Sequence, residues 1–238
     1  MNILVTICGR GGSKGIPGKN IKNLNGKPLI SYTIRHAQEF AKRHSNVDIA
    51  LSTDDSQIKQ TAEEFGLRTN YIRPHHLADD EAGKMAVLKH LLHYEEQQNK
   101  KAYGIVLDLD ITSPLRTQQD LDLGLKRLLN DKEAYNIFSV SKPHRNPYFN
   151  VVEEKDDGYC KVVKKSDSLS RQKAPKVYDM NASFYFFRRI CFEQSFRSST
   201  TEKSLFYLMD HTCFDLDEPL DFVVMDYLLS QKKLGFEI

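Results

Sequence analysis

The chain has 238 residues, a length suited to one large domain or one domain with a substantial insertion. Hydrophobic residues make up 40% and charged residues 28%, with 12 Gly and 8 Pro, which excludes a disordered, collagen-like or disulfide-stapled chain. The 34 Lys and Arg against 32 Asp and Glu leave +2, short of the basic excess that a dedicated nucleic-acid binder needs, though a small basic pocket for an anion stays compatible.

The first half alternates short apolar runs with amphipathic stretches. Asn2–Cys8 reads as a buried strand, and Ile30–Lys42 as a helix with Ile30, Ile34, Ala37 and Ala41 near one face. Val47–Ser52 is the next strand; Asp54 or Asp55 caps a helix carrying Ile58, Ala62 and Phe65, which Gly66 ends. Asn70–Ile72 is short and extended ahead of Arg73-Pro74. Met85–Gln97 places Val87, Leu88, Leu91 and Leu92 at helical spacing. Tyr103–Leu109 is another buried strand, Thr117–Leu129 another helix, and Ile137–Val140 closes the series. Strands alternating with helices predict an α/β fold, Rossmann-like, with a mostly parallel sheet covered on both faces. Such sheets bind ligands beyond their carboxyl ends, which singles out the loops after Cys8, Ser52 and Leu109.

The texture changes over about 142–177, a polar stretch with a predicted hairpin around Asp156–Gly158. It is too long and aromatic for a linker and reads as an arm inserted into a single 1–238 domain, finding its burial on another subunit. Core sequence resumes at Ala182–Phe187, a strand buried on both sides. A short acidic strand, Phe214–Asp217, and a helix, Pro219–Leu229, follow.

Cys8, Cys160, Cys191 and Cys213 lie far apart without a C-x-x-C, so they read as reduced thiols rather than a zinc site. No run approaches the roughly 18–20 apolar residues that span a bilayer. Ile3–Ile7 is too short for a signal-peptide core. The expected location is the cytoplasm, with no membrane or nucleic-acid partner.

Gly9–Asn20 reads GRGGSKGIPGKN, five glycines with Arg10, Lys14 and Lys19 directly after a buried strand. Glycine lets main-chain N–H groups approach an anion, and the cations supply charge, so the loop is a candidate phosphate cradle; the alternative is a surface loop. It is not a Walker A motif, because Ser13 stands where the first glycine belongs and Asn20 follows Lys19. Nor is it G-x-G-x-x-G, since Lys14 replaces the third glycine.

The run ICGRGGSKGIPGKNIKNLNGKPLISYTI resembles the opening of the acylneuraminate (sialic acid-type) cytidylyltransferases. STDD (Ser52–Asp55), RPHHLADD (Arg73–Asp80) and TSPLR (Thr112–Arg116) match further elements of that family. Where many of its members carry Gln-Pro before TSPLR, this chain has Asp110 and Ile111. With RNPYFN (Arg145–Asn150) and PKVYDMNASFYFF (Pro175–Phe187), that variant looks most like the subset making CMP-legionaminic acid.

The resemblance implies a Mg²⁺-dependent reaction of CTP with a nonulosonic acid, giving the CMP-sugar and pyrophosphate, in a homodimer. It implies that Lys14, Lys19 and Asp217 are catalytic, and that Arg10, Gly11, Gly12, Ser13, Asn20 and Arg73 bind the nucleotide. Thr112, Arg171, Gln172 and Asn181 are implied on the substrate side, where an arginine suits a sugar carboxylate; Asp110, where the chain departs from the family and nearest the active edge of its strand, is a candidate for a further metal ligand or a sugar contact. Asp215 and Asp217, two apart and so on one side of an extended segment, are implied as the metal pair. Asp108 and Asp110 share that spacing, and either pair alone also fits helix capping or a solvated strand end. Arg116 reads as tying its loop down, and Tyr185 and Phe187 as core. The alternatives are a cytidylyltransferase for 3-deoxy-manno-octulosonate, another sugar nucleotidyltransferase and, less favoured, a non-catalytic nucleotide- or RNA-binding protein.

Overall fold

The computed structural model describes residues 1–12, 15–79, 82–165 and 174–238. In chain order it begins with β1 (Ile3–Cys8), the ribbon β2 (Asn23–Leu24) and β3 (Lys27–Pro28), α1 (Leu29–Arg43), β4 (Val47–Ser52) and α2 (Ser56–Glu64). Next come α3 (Lys84–Asn99), β5 (Ile105–Leu109), α4 (Gln118–Asn130) and β6 (Asn136–Ser141). The hairpin β7 (Val152–Glu154) and β8 (Cys160–Val162) precedes β9 (Asp179–Arg188), α5 (Ile190–Glu193), β10 (Ser204–Leu208) and α6 (Pro219–Ser230).

Six strands form one sheet in the order β10-β6-β9-β5-β1-β4. β1 pairs in parallel with β4 and β5, and β6 with β10, so the sheet is mostly parallel as expected. β9 alone runs the other way, wedged between β5 and β6. The alternation of side chains divides the core. Ile3, Val5 and Ile7 with Leu107 and Phe186 pack on one face beneath residues of α1, α2, α4 and α6. Leu4, Val106, Tyr185 and Phe187 pack on the other with Leu88, Leu91 and Leu92 of α3.

The caps follow the sequence chemistry. Asp55, not Asp54, caps α2: its Oδ1 accepts from the N–H groups of Gln57 at 2.7 Å and Ile58 at 3.0 Å. Gly66 sits at φ 82 just past that helix, where a Cβ would be strained. Thr117 caps α4 in a capping box with Asp120.

Ile137–Val140 forms most of β6 as expected, and β10, which no expectation included, adds at its edge; β10 has no alternation strong enough to show in sequence, every residue being half-buried. Asn70–Ile72 joins no strand, and its Tyr71 is buried. One expectation changes: Phe214–Asp217 is a loop rather than a strand, held by a ladder-like bond from Leu216 N–H to the Thr112 carbonyl at 2.8 Å. The predicted hairpin does form, with Gly158 at φ 80 in its turn. It is a separate two-stranded sheet whose six strand residues are all exposed.

Candidate active site

β1 sends the chain out to β4 on one side, and β5 lies on its other side, so a crevice opens at the carboxyl end of β1. Two cavities meet there, and Cys8, Arg10 and Asp110 line both. One, of about 300 Å³, is completed by Arg73, Leu77, Asp79, Lys84 and Val87. The other, of about 340 Å³, is completed by Gly9, Gly15, Lys19, Asn20, Thr112 and Asp217.

The glycine loop packs where side chains would not fit. A Cβ at Gly9 would stand 2.8 Å from Ile111 Cδ1, and one at Gly11 would stand 2.5 Å from Asp55 Oδ2. The Gly11 N–H donates to Asp54 Oδ1 at 3.2 Å, so the STDD element anchors the loop. A Cβ at Gly15 would meet the Asp217 carbonyl at 2.9 Å, which brings the loop against the acidic segment. Gly12 meets nothing within 4 Å. Asn20 is buried and its Nδ2 donates to the Arg10 carbonyl at 3.0 Å, bracing the loop from within.

Arg73, also buried, donates from Nε to Ser52 Oγ at 2.9 Å and from Nη2 to the Ser52 carbonyl at 2.7 Å. The end of β4 thereby aims this cation into the first cavity. Asp110 Oδ1 accepts from Thr112 N–H at 3.0 Å and Thr112 Oγ1 at 2.9 Å. Burial would raise its pKa, but Lys84 and the Thr112 bonds outweigh that and hold it below the usual carboxylate range.

Asp217 faces the second cavity, its Oδ1 3.1 Å from Lys19 Nζ. Asp215 has a buried Oδ1 with no hydrogen-bond partner. Burial pushes its pKa up to about 6; the Ser113 hydroxyl and Lys19 oppose this, while the charges of Asp110 and Asp217 add to it. An orphaned carboxylate oxygen amid surplus negative charge fits a hard divalent cation. Among the described residues no three His, Cys, Asp or Glu side chains gather to hold a metal by themselves. That also fits an ion whose remaining ligands are water, joined by phosphate oxygens when substrate binds.

Other residues fall differently from expectation. Ser13, Lys14, Arg171 and Gln172 lie outside the described residues. Asn181 is spent inside the sheet: Oδ1 accepts from Ser139 Oγ at 2.6 Å, and Nδ2 donates to Ser141 Oγ at 2.8 Å and Met209 Sδ at 3.2 Å. It stands beside Ala182, at φ 53, where the β6–β9 register slips, so its amide fills the bulge between those strands. Arg116 ties its loop down as expected, reaching the Ser113 carbonyl at 2.6 Å, the Asp110 carbonyl and Ser183 Oγ.

Lys84 was not anticipated. It opens α3 four residues before Leu88, so its position on the apolar face of that helix is the signal that could have found it. Its Nζ lies 2.6 Å from Asp108 Oδ2 and 3.5 Å from Asp110 Oδ2. Tyr185 and Phe187 are core, stacked with an interplanar angle of 3°, and Tyr185 carries the Lys84 ammonium 4.6 Å above its ring.

The chain is 36% identical over 234 residues to post-translational flagellin modification protein B of Campylobacter coli, covering 98% of this chain and 97% of that one. It is likewise 36% identical over 235 residues to the CMP-N,N'-diacetyllegionaminic acid synthase of Campylobacter jejuni subsp. jejuni serotype O:2, again covering 98% and 97%. Among solved structures it matches CMP:2-keto-3-deoxy-manno-octonic acid synthetase complexed with CTP, with TM-score 0.68 and 17% identity over 98% of this chain and 100% of that one, a likeness of fold. The family model described as Cytidylyltransferase matches residues 4–234, and with the glycine loop at the sheet's crevice and the cations and carboxylates gathered around it, the chain belongs to the cytidylyltransferase family.

Proposed function

We propose that this cytidylyltransferase transfers CMP from CTP to a nonulosonic acid of the legionaminic or sialic acid type, releasing pyrophosphate. The carrying observation is the second cavity, where Lys19, Asn20, Thr112 and Asp217 surround the glycine loop beside Asp110. The 36% identity to the C. jejuni legionaminic acid enzyme supports the sugar class. The product would be an activated donor for glycan assembly.

In this reading the loop amides with Lys19 and Lys14 bind the triphosphate and stabilise the departing pyrophosphate, by positioning and electrostatics. Arg73, fixed by Ser52, holds the nucleotide in the first cavity. The sugar's anomeric 2-hydroxyl attacks the α-phosphate roughly in line, with Arg171 and Gln172 on the sugar side. Asp215 and Asp217 would hold magnesium, which when bound supplies charge at the α-phosphate and lowers the pKa of the attacking hydroxyl. The chain works in the cytoplasm, where its four unpaired cysteines stay reduced. Its arm pairs two copies.

The test is pyrophosphate release from CTP and Mg²⁺ with N,N'-diacetyllegionaminic, N-acetylneuraminic and 3-deoxy-manno-octulosonic acids in parallel. Release is expected with the first or second. Silence across all three refutes the reaction, and release with the third alone refutes the sugar class.

A further inference from the structure

The sequence carries two Asp-x-Asp pairs, and the fold treats them oppositely. Asp215 keeps a buried oxygen without a partner, beside an Asp217 that lines the open cavity. Asp108 and Asp110 instead meet an ammonium. The parallel register sets Thr6 beside Asp108, and the antiparallel register sets Tyr185 on its other side. All three point to the face covered by α3, whose first residue is Lys84. Thr6 Oγ1 donates to Asp108 Oδ1 at 2.9 Å and Lys84 Nζ to Asp108 Oδ2 at 2.6 Å, so both oxygens of this 1%-exposed carboxylate are used. Asp110 gives Oδ1 to Thr112 and keeps Oδ2 3.5 Å from the same ammonium. The Tyr185 ring under the lysine adds a cation–π contact.

We propose that Lys84 is a built-in counter-cation that closes the Asp108–Asp110 pair to metal and leaves Asp215–Asp217 as the divalent site among the described residues. A monovalent ammonium tethered by α3 neutralises the pair and occupies the place a divalent ion and its waters would take. It also fixes Asp110, the carboxylate shared by the two cavities. Lys84 is thus a positioning residue, and the departure from Gln-Pro to Asp110-Ile111 has its electrostatic complement in this chain. The inference rests on the metal assignment proposed above for its second half only.

The test counts bound Mn²⁺ by electron paramagnetic resonance on the full-length protein, without CTP or sugar. Wild type is expected to bind one ion, lost in Asp215→Asn and kept in Asp110→Asn. Lys84→Met is expected to bind two, the second lost in Lys84→Met/Asp110→Asn, and Lys84→Arg to stay at one. A Lys84→Met protein that gains no ion overturns the proposal. So does a wild-type ion lost in Asp110→Asn, which can be read even where Lys84→Met does not fold. Absence of an ion from wild type, with one gained by Lys84→Met, would refute the Asp215–Asp217 assignment while supporting the role of Lys84.

Discussion

Lys19 Nζ lies 3.1 Å from Asp217 Oδ1, joining the glycine loop to the acidic segment across 198 positions of sequence. Each side chain is thereby held at the rim of the second cavity with its charge matched by the other. The Asp217 side chain is 71% exposed, so the pair itself adds little stability. Lys19→Met and Asp217→Asn should each lower kcat by about 10²–10³-fold. Unfolding free energy should change by no more than about 0.5 kcal/mol. Steady-state pyrophosphate release and thermal melts check both, and near-normal turnover would remove the pair from the site.

The loop's packing separates two neighbouring glycines. A Cβ at Gly11 would stand 2.5 Å from Asp55 Oδ2, while one at Gly12 meets nothing within 4 Å. Gly11→Ala must therefore push the loop off the α2 cap, and about 10²-fold of kcat/KM should go with it. Gly12→Ala should leave the melting temperature unchanged. Equal melting temperatures and equal activities for the two variants would contradict this packing.

Asn181 serves the sheet, so its loss should appear in stability rather than in substrate binding. Asn181→Ala leaves the Ser139 and Ser141 hydroxyls without their buried partner and should cost about 1–3 kcal/mol. That corresponds to a melting-temperature drop of about 2–12 °C in a chain of this size. KM for the sugar should stay within about twofold. A raised sugar KM with unchanged melting would restore Asn181 to the substrate side.

His211 binds the loop that leads to Asp215 onto α4. Its Nε2 is 2.8 Å from Asp120 Oδ2 and its Nδ1 3.0 Å from the Thr212 carbonyl, so both nitrogens face acceptors and the protonated ring satisfies both. Burial lowers its pKa, but Asp120, the Thr212 carbonyl and Asp210 outweigh this and raise it above 6.5. A raised folded pKa gives stability that is full below about pH 6.5 and lost as pH rises through the folded value. His211→Asn should cost about 1.5–3 kcal/mol at pH 6 and progressively less toward pH 9, by urea denaturation. A difference that does not vary with pH would refute the latch.

The arm exposes Phe149, Val152, Tyr159 and Val162, and α6 exposes Leu220, Val223, Val224 and Tyr227 at helical spacing. Exposed apolar side chains on both suit burial between two copies. Val152→Asp/Tyr159→Asp should shift the mass measured by light scattering from dimer to monomer, with an unchanged far-ultraviolet spectrum. A dimer that survives would refute the arm's role.

What the sequence alone determined is local. Period-two and period-3.6 patterns marked the strands and helices, turn chemistry placed the hairpin at Gly158, and the glycine loop with its cations marked the segment that lines the crevice beyond β1. Its resemblance to a family carried the substrate class. Tertiary structure decided whatever depends on partners distant in the chain. The direction of β9 is one such decision, since a strand buried on both faces reads alike either way round. The difference between the two Asp-x-Asp pairs is another. Identical spacing gives identical local geometry, yet Lys84 lies 24 positions before Asp108 and meets it only because α3 packs on that face of the sheet. The partners of Asn181, which the resemblance places on the substrate side, are a further case: they show only once the strands beside it are in register. The charge balance of +2 is the last case, because folding separates it into a cationic loop, an open acidic pair and a neutralised one. A carboxylate's role is set by the charge and solvent around it, and those are properties of the packed chain.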